Sequence, residues 1–178
     1  NPGASPSGGL LDSESMQIIL NNVAPVFMDK STTARSDIWN KHVAIGPGER
    51  VQIVAPSGSG KTSLISFIYG LRKDYTGDIF IDEKNTRSFS AEDWAKYRSA
   101  HLSIMFQDLR LFPHQTGREN IEIKRKLQPY KKPESMEAMS DALGIQAKLN
   151  QQAQICSYGE KQRITLIRDL QQPFDCIL

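Results

Sequence analysis

The stretch of the sequence with the clearest chemistry is a glycine-rich loop, residues 55–62, which reads Ala-Pro-Ser-Gly-Ser-Gly-Lys-Thr. It follows an apolar run, residues 50–55, and opens a predicted helix, which is the context that the phosphate-binding pattern GxxxxGK[ST] requires. Glycines let the backbone curl without Cβ clashes, so that successive N–H groups point to one place, and the helix N-terminus adds partial positive charge there. The loop therefore predicts a site for the phosphates of a nucleoside triphosphate.

Two side chains of this loop have distinct predicted roles. The Lys61 ammonium can reach the β- and γ-phosphates, and the Thr62 hydroxyl can bind Mg²⁺. Ala55 stands where the pattern has glycine, and alanine is tolerated there if its φ is negative. The alternative is a flexible turn between strand and helix that binds nothing. The candidate nucleotide-binding residues are Ala55, Pro56, Ser57, Gly58, Ser59, Gly60, Lys61, Thr62 and Ser63.

Two later stretches narrow the class of nucleotide-binding protein. The first, residues 103–121, reads SIMFQDLRLFPHQTGRENI, and the second, residues 156–170, reads CSYGEKQRITLIRDL. Together with the loop, and in this order, they resemble the nucleotide-binding subunit of ABC transporters. The first stretch is similar to the family's Q-loop, and the second to its LSGGQ signature and the helix that follows. The resemblance covers about residues 16–178.

The resemblance implies roles for four further residues. Gln107 matches the Q-loop glutamine, which in the family contacts Mg²⁺ or its water, and a neutral amide suits this task because it both donates and accepts hydrogen bonds. Ser157 and Gly159 match the signature residues that bind the γ-phosphate of ATP held by the opposite subunit. Phe27 falls where the family has an aromatic residue that stacks on adenine, with packing in the core as the alternative. The implied cofactors are ATP and Mg²⁺, with Thr62 and Gln107 as metal ligands.

The signature departs from the family pattern at three positions. Cys156 replaces leucine, Tyr158 replaces the first glycine, and Glu160 replaces glutamine. The bulk of Tyr158 opposes the close approach of a partner's phosphate, and the charge of Glu160 disfavours an anion nearby. We therefore expect the signature to bind phosphate less well than the glycine-rich loop does.

The order of apolar runs and breaks predicts the elements that position these residues. The predicted strands are residues 16–20, 36–45, 77–82 and 101–106, together with a buried parallel strand over 50–55. The predicted helices are residues 61–71, 90–97 and most of 116–170, with capping boxes at Ser90–Asp93 and Thr116–Glu119. The predicted fold class is α/β: a P-loop NTPase with a RecA-like parallel sheet core, a small antiparallel sheet and a helical insert over about 116–170.

The last eight residues, QQPFDCIL, predict a buried strand after Pro173. In the family this strand leads into an Asp-Glu pair that orients Mg²⁺ and activates water, and a switch histidine follows later. The chain contains neither, so we assign no catalytic residue within it and expect it to be truncated at its C-terminus. Asp175 is expected at the polar entry of the strand and not as a substitute. Loss of such a base typically lowers the rate by about 10²–10⁴, which predicts little phosphate release by this chain.

The composition is typical of a globular protein outside the membrane. Hydrophobic residues make up 39% and charged residues 24%, the net charge is +2, and no apolar run approaches the roughly 18 residues of a membrane span. Cys156 and Cys176 lack CxxC or histidine neighbours, which predicts reduced, buried thiols and no zinc site. Residues 1–15 are expected to be a disordered leader or tag. These features indicate a cytoplasmic protein.

The resemblance also implies partners. These are a second ATP-binding subunit in a head-to-tail dimer and a membrane permease on the inner face of the cell membrane, with no nucleic acid. The Q-loop stretch is most similar to the lipoprotein-release and macrolide-export branch. One alternative is an ABC-type ATPase of DNA repair or chromosome maintenance, although those usually carry long insertions, whereas 95 positions separate Lys61 from Cys156. Another is a non-catalytic module for which nucleotide is only a structural ligand.

Overall fold

A four-stranded antiparallel sheet forms the N-terminal part of the computed structural model, which describes residues 16–127 and 129–178. The predicted leader over 1–15 lies outside the described residues. The strands are β1 (Ile18–Pro25), β2 (His42–Ile45), β3 (Tyr75–Ile81) and β4 (Lys84–Asn85), in the order β2-β1-β3-β4. Ile18 lies opposite both Ile45 and Ile81, so β1 is central. The predicted small antiparallel sheet is confirmed, although the run 36–45 forms a strand only over its last part.

The sheet and the helix after the glycine-rich loop share one core. Helix α2 (Lys61–Ile68) buries Phe67, whose ring centroid lies 4.9 Å from that of Tyr75 and 6.4 Å from that of Trp39. Ile18, Leu20, Ile79 and Ile81 are almost fully buried, because alternate residues of β1 and β3 point to the same face. This packing fixes the start of α2, and therefore the loop before it, against the sheet.

Helix α2 ends before the predicted boundary at residue 71. Arg98 donates hydrogen bonds to the carbonyl oxygens of Tyr69 (3.0 Å) and Gly70 (2.8 Å), which satisfies carbonyl groups at the helix end. Leu71 is 46% exposed. The predicted helix over 61–71 is therefore three residues too long, because α2 ends at Ile68.

The parallel part of the fold consists of two short strands. Strands β5 (Leu102–Ser103) and β6 (Cys176–Ile177) pair in parallel, and the N–H of Met105 continues the ladder by donating to the carbonyl of Leu178 at 2.9 Å. Helix α3 (Ala91–Ala100) precedes β5 and begins with the predicted Ser90–Asp93 capping box. Both predicted strands of this pair are present, but shorter than the apolar runs that predict them. The prediction that the strand after Pro173 is buried is wrong, because Cys176 is only half-buried and Ile177 is 41% exposed.

The prediction of a buried parallel strand over 50–55 is wrong for the described structure. The segment pairs with no other strand among the described residues, Val51 is 55% exposed and Val54 is 84% exposed. Ile53 is half-buried against the core. An apolar run becomes a strand only when another backbone accepts and donates its hydrogen bonds, and β6 is paired to β5 and not to this segment.

Helices dominate the later part of the chain, as predicted for residues 116–170. They are α4 (Gly117–Leu127), α5 (Pro133–Ala142) and α6 (Tyr158–Asp169), and the Thr116–Glu119 capping box at α4 is present. A short helix that the sequence does not predict, α1 (Lys30–Ala34), lies earlier in the chain. The helical part has a core of its own, made of Ile121, Met136, Ile145, Leu149, Cys156, Ile164 and Ile167. In residues 16–127 and 129–178, no helix is both long enough and apolar enough to cross a membrane.

Candidate nucleotide-binding site

The glycine-rich loop adopts the curled backbone that its sequence predicts. Gly58 (φ 79°) and Gly60 (φ 93°) both lie in the left-handed region, which side chains disfavour. Ser59 closes the turn, with its hydroxyl donating to the carbonyl of Pro56 at 2.7 Å. The φ of Ala55 is not positive, so alanine is tolerated at the first position of the pattern. The loop therefore has the curled conformation that the phosphate-binding pattern requires.

Glycine is required at position 60 both because a side chain would clash with its neighbours and because φ is positive there. A Cβ atom at Gly60 would lie 2.8 Å from the Trp39 ring and 2.9 Å from the Cε atom of Met28. Trp39 is held in place because its indole N–H donates to the carbonyl of Ser59 at 3.0 Å. A Cβ atom at Gly58 would have no neighbour within 4 Å. The two glycines of the loop thus serve different purposes.

The Lys61 ammonium lies over the loop. It donates to the carbonyl oxygens of Ala55 (2.5 Å) and Pro56 (2.8 Å), which brings the cation to the inside of the curl. Helix α2 begins after Gly60 with no side-chain cap, so its first N–H groups have no side-chain acceptor. Thr62 is exposed in the first turn, whereas Ser63 is buried and 3.4 Å from Arg72. The Lys61 ammonium and the uncapped start of α2 therefore lie at the loop, and Thr62 is the next residue along the helix.

A large cavity lies beside the loop. Its volume is about 860 Å³, and its lining includes Trp39, Val54, Ala55, Lys61 and Leu64. Drug-sized and cofactor-sized ligands occupy clefts of about 300–1,000 Å³. The space next to the glycine-rich loop is therefore large enough for a nucleotide, and its lining is mixed, with the polar side chains of Thr32, Arg35, Ser36 and Asp37 as well as apolar ones. Phe27, Thr62 and Gln107 are not part of this lining.

Phe27 is available at the surface near this loop. Its side chain is 56% exposed, so the alternative that Phe27 packs in the core is wrong. Its neighbour Met28 lies against Gly60, which places this turn next to the loop. The guanidinium of Arg72 lies 4.8 Å from the centroid of the Phe27 ring and is ion-paired with Asp74. The sequence does not predict that Arg72 lies over Phe27, because Arg72 belongs to no motif and follows the end of α2.

Gln107 is exposed in the turn that follows β5. The phenolic hydroxyl of Tyr158 lies 3.5 Å from the backbone carbonyl of Gln107, so the signature stretch touches the Q-loop stretch. Among the described residues, no hydrogen bond joins Gln107 to the glycine-rich loop. The structure therefore groups the predicted site residues in two sets, one around Lys61 and one around Tyr158.

The signature stretch forms the N-terminus of α6. Ser157 is the N-cap, its hydroxyl accepts from the N–H of Glu160 at 3.3 Å, and the Glu160 carboxylate accepts from the N–H of Ser157 at 2.7 Å. This backbone hydrogen bond holds the pKa of Glu160 below its usual range. Lys148 lies 3.3 Å from the same carboxylate. Glutamate thus fills the capping role that glutamine also fills, and a cation partly offsets its charge.

The histidines and acidic residues of the described segments do not gather into a metal centre. Asp175, just before β6, pairs with His101 at 2.6 Å, which places it at the start of the strand. Within residues 16–127 and 129–178, no group of three or more His, Cys, Asp or Glu side chains is arranged to hold a metal ion. The assignment of Thr62 and Gln107 to Mg²⁺ stays a prediction. Both cysteines are free, with Cys156 buried and Cys176 only half-buried.

The fold and the loop together define a P-loop nucleotide-binding domain. Comparison with known proteins narrows this class: the model of a family described as ABC transporter matches residues 39–178. The chain belongs to the ABC transporter family.

Several relatives are named as ATP-binding proteins. The chain is 32% identical over 156 residues to the lipoprotein-releasing system ATP-binding protein LolD of Francisella tularensis, a match that covers 84% of this chain and 68% of the relative. It is 31% identical over 145 residues to LolD of Syntrophotalea carbinolica, covering 79% of this chain and 63% of that protein. It is 29% identical over 143 residues to a putative ABC transporter ATP-binding protein of Mycoplasma genitalium, covering 80% of this chain but 31% of that protein.

A solved structure supports the fold. A bacterial Atm1-family ABC exporter with ATP bound superposes with a TM-score of 0.70 over 95% of this chain and 30% of the exporter chain, at 23% identity. At this identity the likeness shows the fold alone. The chain thus spans between about a third and two thirds of the length of the proteins it resembles.

Proposed function

We propose that this chain is the ATP-binding part of a protein that hydrolyses ATP to drive a membrane transporter. The observation that carries the proposal is the curled loop at the start of α2, with the Lys61 ammonium inside it and a cavity of about 860 Å³ beside it. Family membership agrees with this role. The names of the relatives concern transport, which favours this function over DNA maintenance.

In the proposed complex, the phosphates of ATP lie in the curl of the loop. Lys61 exchanges its bonds to the carbonyls of Ala55 and Pro56 for bonds to phosphate oxygens, which are stronger because both groups are charged. The backbone N–H groups that follow Gly60 donate to the same phosphates. The loop binds without large rearrangement, because its glycines already have the required left-handed backbone.

The adenine ring is proposed to stack on Phe27. The exposed face of this ring is near the loop, and Arg72 already covers part of it as a cation over an aromatic ring. Arg72 either shares the ring with adenine, lying on the opposite face, or moves toward Asp74, with which it is paired. A planar guanidinium stacks on aromatic rings and suits either arrangement.

Mg²⁺ is proposed to be held by the Thr62 hydroxyl and by Gln107. Thr62 is exposed at the start of α2 and Gln107 is exposed after β5, so neither side chain is buried, and Gln107 would meet the metal from the set of residues around Tyr158. Both supply the neutral oxygen ligands that Mg²⁺ accepts alongside phosphate oxygens and water. The bound metal would neutralise phosphate charge.

Partners follow from the same proposal. Ser157 and Gly159 are exposed or half-exposed, and no hydrogen bond in the described part of the chain joins them to the loop around Lys61. This arrangement suits a head-to-tail dimer in which each signature faces the other subunit's nucleotide. We further propose a membrane permease as partner on the cytoplasmic face of the membrane, with the lipoprotein-release branch as the closest functional group, since LolD proteins are among the relatives.

Calorimetric titration with MgATP tests the nucleotide site. The unsubstituted chain is expected to bind, and Lys61→Ala is expected to abolish measurable binding because the phosphates lose their only lysine ligand within the loop. Lys96→Ala, an exposed lysine on α3, is the matched control and should bind normally. Equal affinities for the unsubstituted and Lys61→Ala chains would contradict the proposed site.

A further inference from the structure

The Q-loop stretch contains two consecutive residues in an unfavourable backbone conformation. Leu109 (φ 60°) and Arg110 (φ 46°) both lie in the left-handed region, and neither is glycine. Such residues persist only where the surrounding structure holds them, and they cluster at functional sites. They follow Gln107 by two and three positions, so whatever holds them also fixes where Gln107 lies.

The residue that holds them is Arg168, in the last turn of α6. Its two terminal nitrogens donate to the carbonyl oxygens of Arg110 (2.7 Å) and Leu109 (3.1 Å). The Thr165 hydroxyl adds a long contact of 3.5 Å to the carbonyl of Leu109. Arg168 is 7% exposed, so these bonds are shielded from water. Only the planar fork of arginine donates to two neighbouring carbonyls in this fixed geometry.

The guanidinium is itself held in place by its neighbour Asp169 and, through Asp169, by a second helix, α4. Its Nε donates to a carboxylate oxygen of Asp169 at 3.1 Å, and the Lys124 ammonium of α4 lies 3.4 Å from the same oxygen. Asp169 is fully buried. Removing the arginine would therefore leave a buried carboxylate with one cation, the Arg110 carbonyl without this donor and the Leu109 carbonyl with only the long contact to Thr165, which is unfavourable.

Helix α6 thus contacts the Q-loop at both of its ends. Tyr158 in its first turn lies 3.5 Å from the carbonyl of Gln107, and Arg168 in its last turn binds the two strained residues that follow. The helix that begins with the signature therefore supports the Q-loop backbone from its C-terminal end.

We propose that Arg168 is a positioning residue for Gln107: by fixing the left-handed backbone of Leu109 and Arg110, it sets where the Gln107 amide meets Mg²⁺ and the γ-phosphate. The inference rests on the proposed function, since it assigns Gln107 that role. It adds that the position of Gln107 depends on the signature helix of the same chain.

Two measurements on the whole chain test the proposal. Arg168→Lys retains the charge beside Asp169 but lacks the fork, so amide hydrogen exchange over residues 107–112 should become roughly tenfold faster as this segment loses local stability. The affinity for MgATP should fall by about 10–100-fold, as is typical when the support of a metal ligand is removed, while ATP binding in EDTA should change little. Arg163→Lys, exposed on the same helix, is the matched control and should change neither quantity.

A combination of substitutions separates positioning from a general loss of stability. Gln107→Ala should give a similar loss of MgATP affinity, and the double variant Gln107→Ala/Arg168→Lys should lose little more than either single variant, because both act through the same amide. If Arg168→Lys fails to fold, Thr165→Val removes one contact to Leu109, and a smaller but localised rise in exchange over 107–112 is expected.

The outcomes distinguish this inference from the function on which it rests. Unchanged exchange over 107–112 in both variants would overturn it. So would a loss of affinity in Arg168→Lys that is equal with Mg²⁺ and with EDTA. If the unsubstituted chain binds no nucleotide, the proposed function fails, and faster exchange over 107–112 would then still show that Arg168 holds the loop.

Discussion

The two helices that are predicted to face phosphate begin in different ways. Helix α2 starts after Gly60 with no side-chain cap, and the Lys61 ammonium lies on the carbonyl groups of the loop before it. Helix α6 starts at Ser157, and a capping box with Glu160 uses the Ser157 hydroxyl and places a carboxylate at the helix N-terminus. One N-terminus is open to an anion, whereas the other already has an anion of its own.

The difference indicates that the starts of α2 and α6 would contribute differently to phosphate binding. The first turn of α2 contains the Lys61 cation and backbone N–H groups without a capping side chain. A helix start of this kind can bind phosphate by itself. At α6, a phosphate competes with Glu160 and must approach past Tyr158, which is 59% exposed. The signature is therefore expected to act only on a nucleotide that the first stretch of another subunit holds in place.

The largest effect is expected from Gly60→Ala, which tests whether the loop requires its close packing. The new Cβ atom would meet the Trp39 ring at 2.8 Å in a left-handed backbone. We expect a loss of about 3 kcal/mol in the free energy of unfolding, measured with denaturant, together with loss of MgATP binding. Gly58→Ala has only the backbone strain and should lose about 1 kcal/mol. Equal losses for the two variants would show that Trp39 does not constrain the loop.

A smaller effect is expected from Ser157→Ala at the other helix. Removing the N-cap hydroxyl should lower the free energy of unfolding by about 1 kcal/mol, because the N–H of Glu160 loses its acceptor. MgATP binding by the single chain, measured by calorimetry, should not change, since Ser157 is predicted to serve the opposite subunit. A loss of single-chain affinity as large as that of Lys61→Ala would remove the distinction between the two helix starts.

The smallest effect is expected from the pH dependence at Glu160. Hydrogen bonding to the Ser157 N–H lowers the folded-state pKa of Glu160 below its ordinary value of 4.5. Its stabilising contribution is therefore present above pH 4.5 and is lost as the pH falls through 4.5 toward the folded-state pKa. Glu160→Gln keeps the capping box without this titration. We expect the free energy of unfolding of the unsubstituted chain, relative to that of Glu160→Gln, to fall between pH 7 and about pH 3. A difference that does not change with pH would contradict the lowered pKa of Glu160.

Local motifs were predictable because their partners are close in the sequence. The glycine-rich loop and the capping boxes at Ser90 and Thr116 involve residues within a few positions, and the structure contains all of them. At Ser157, a serine is again followed three positions later by an acidic residue, Glu160, and the structure has a capping box there. The sequence pattern indicates this box, although the family resemblance assigned the same residues to phosphate binding. Short-range hydrogen bonds depend little on the rest of the fold.

Features that depend on distant residues were not predictable in the same way. The run 50–55 has the apolar character of a buried strand, yet Val54 is 84% exposed because no other strand pairs with the segment in the described structure. Arg72 lies over Phe27, 45 positions earlier in the chain, and no spacing rule links them. Apolar periodicity reports which residues prefer burial and not which backbone will be their neighbour.

The sequence by itself predicted a phosphate-binding loop that ends in Lys61 and Thr62, and it determined the α/β class of the fold. Only the tertiary structure decided how the Q-loop is held, because Arg168 reaches carbonyl groups 58 and 59 positions earlier in the chain. It also decided that Gly60, unlike Gly58, is fixed by a tryptophan ring. Chemistry that is confined to adjacent residues is encoded locally, whereas contacts between helix, loop and sheet exist only once packing brings those elements together.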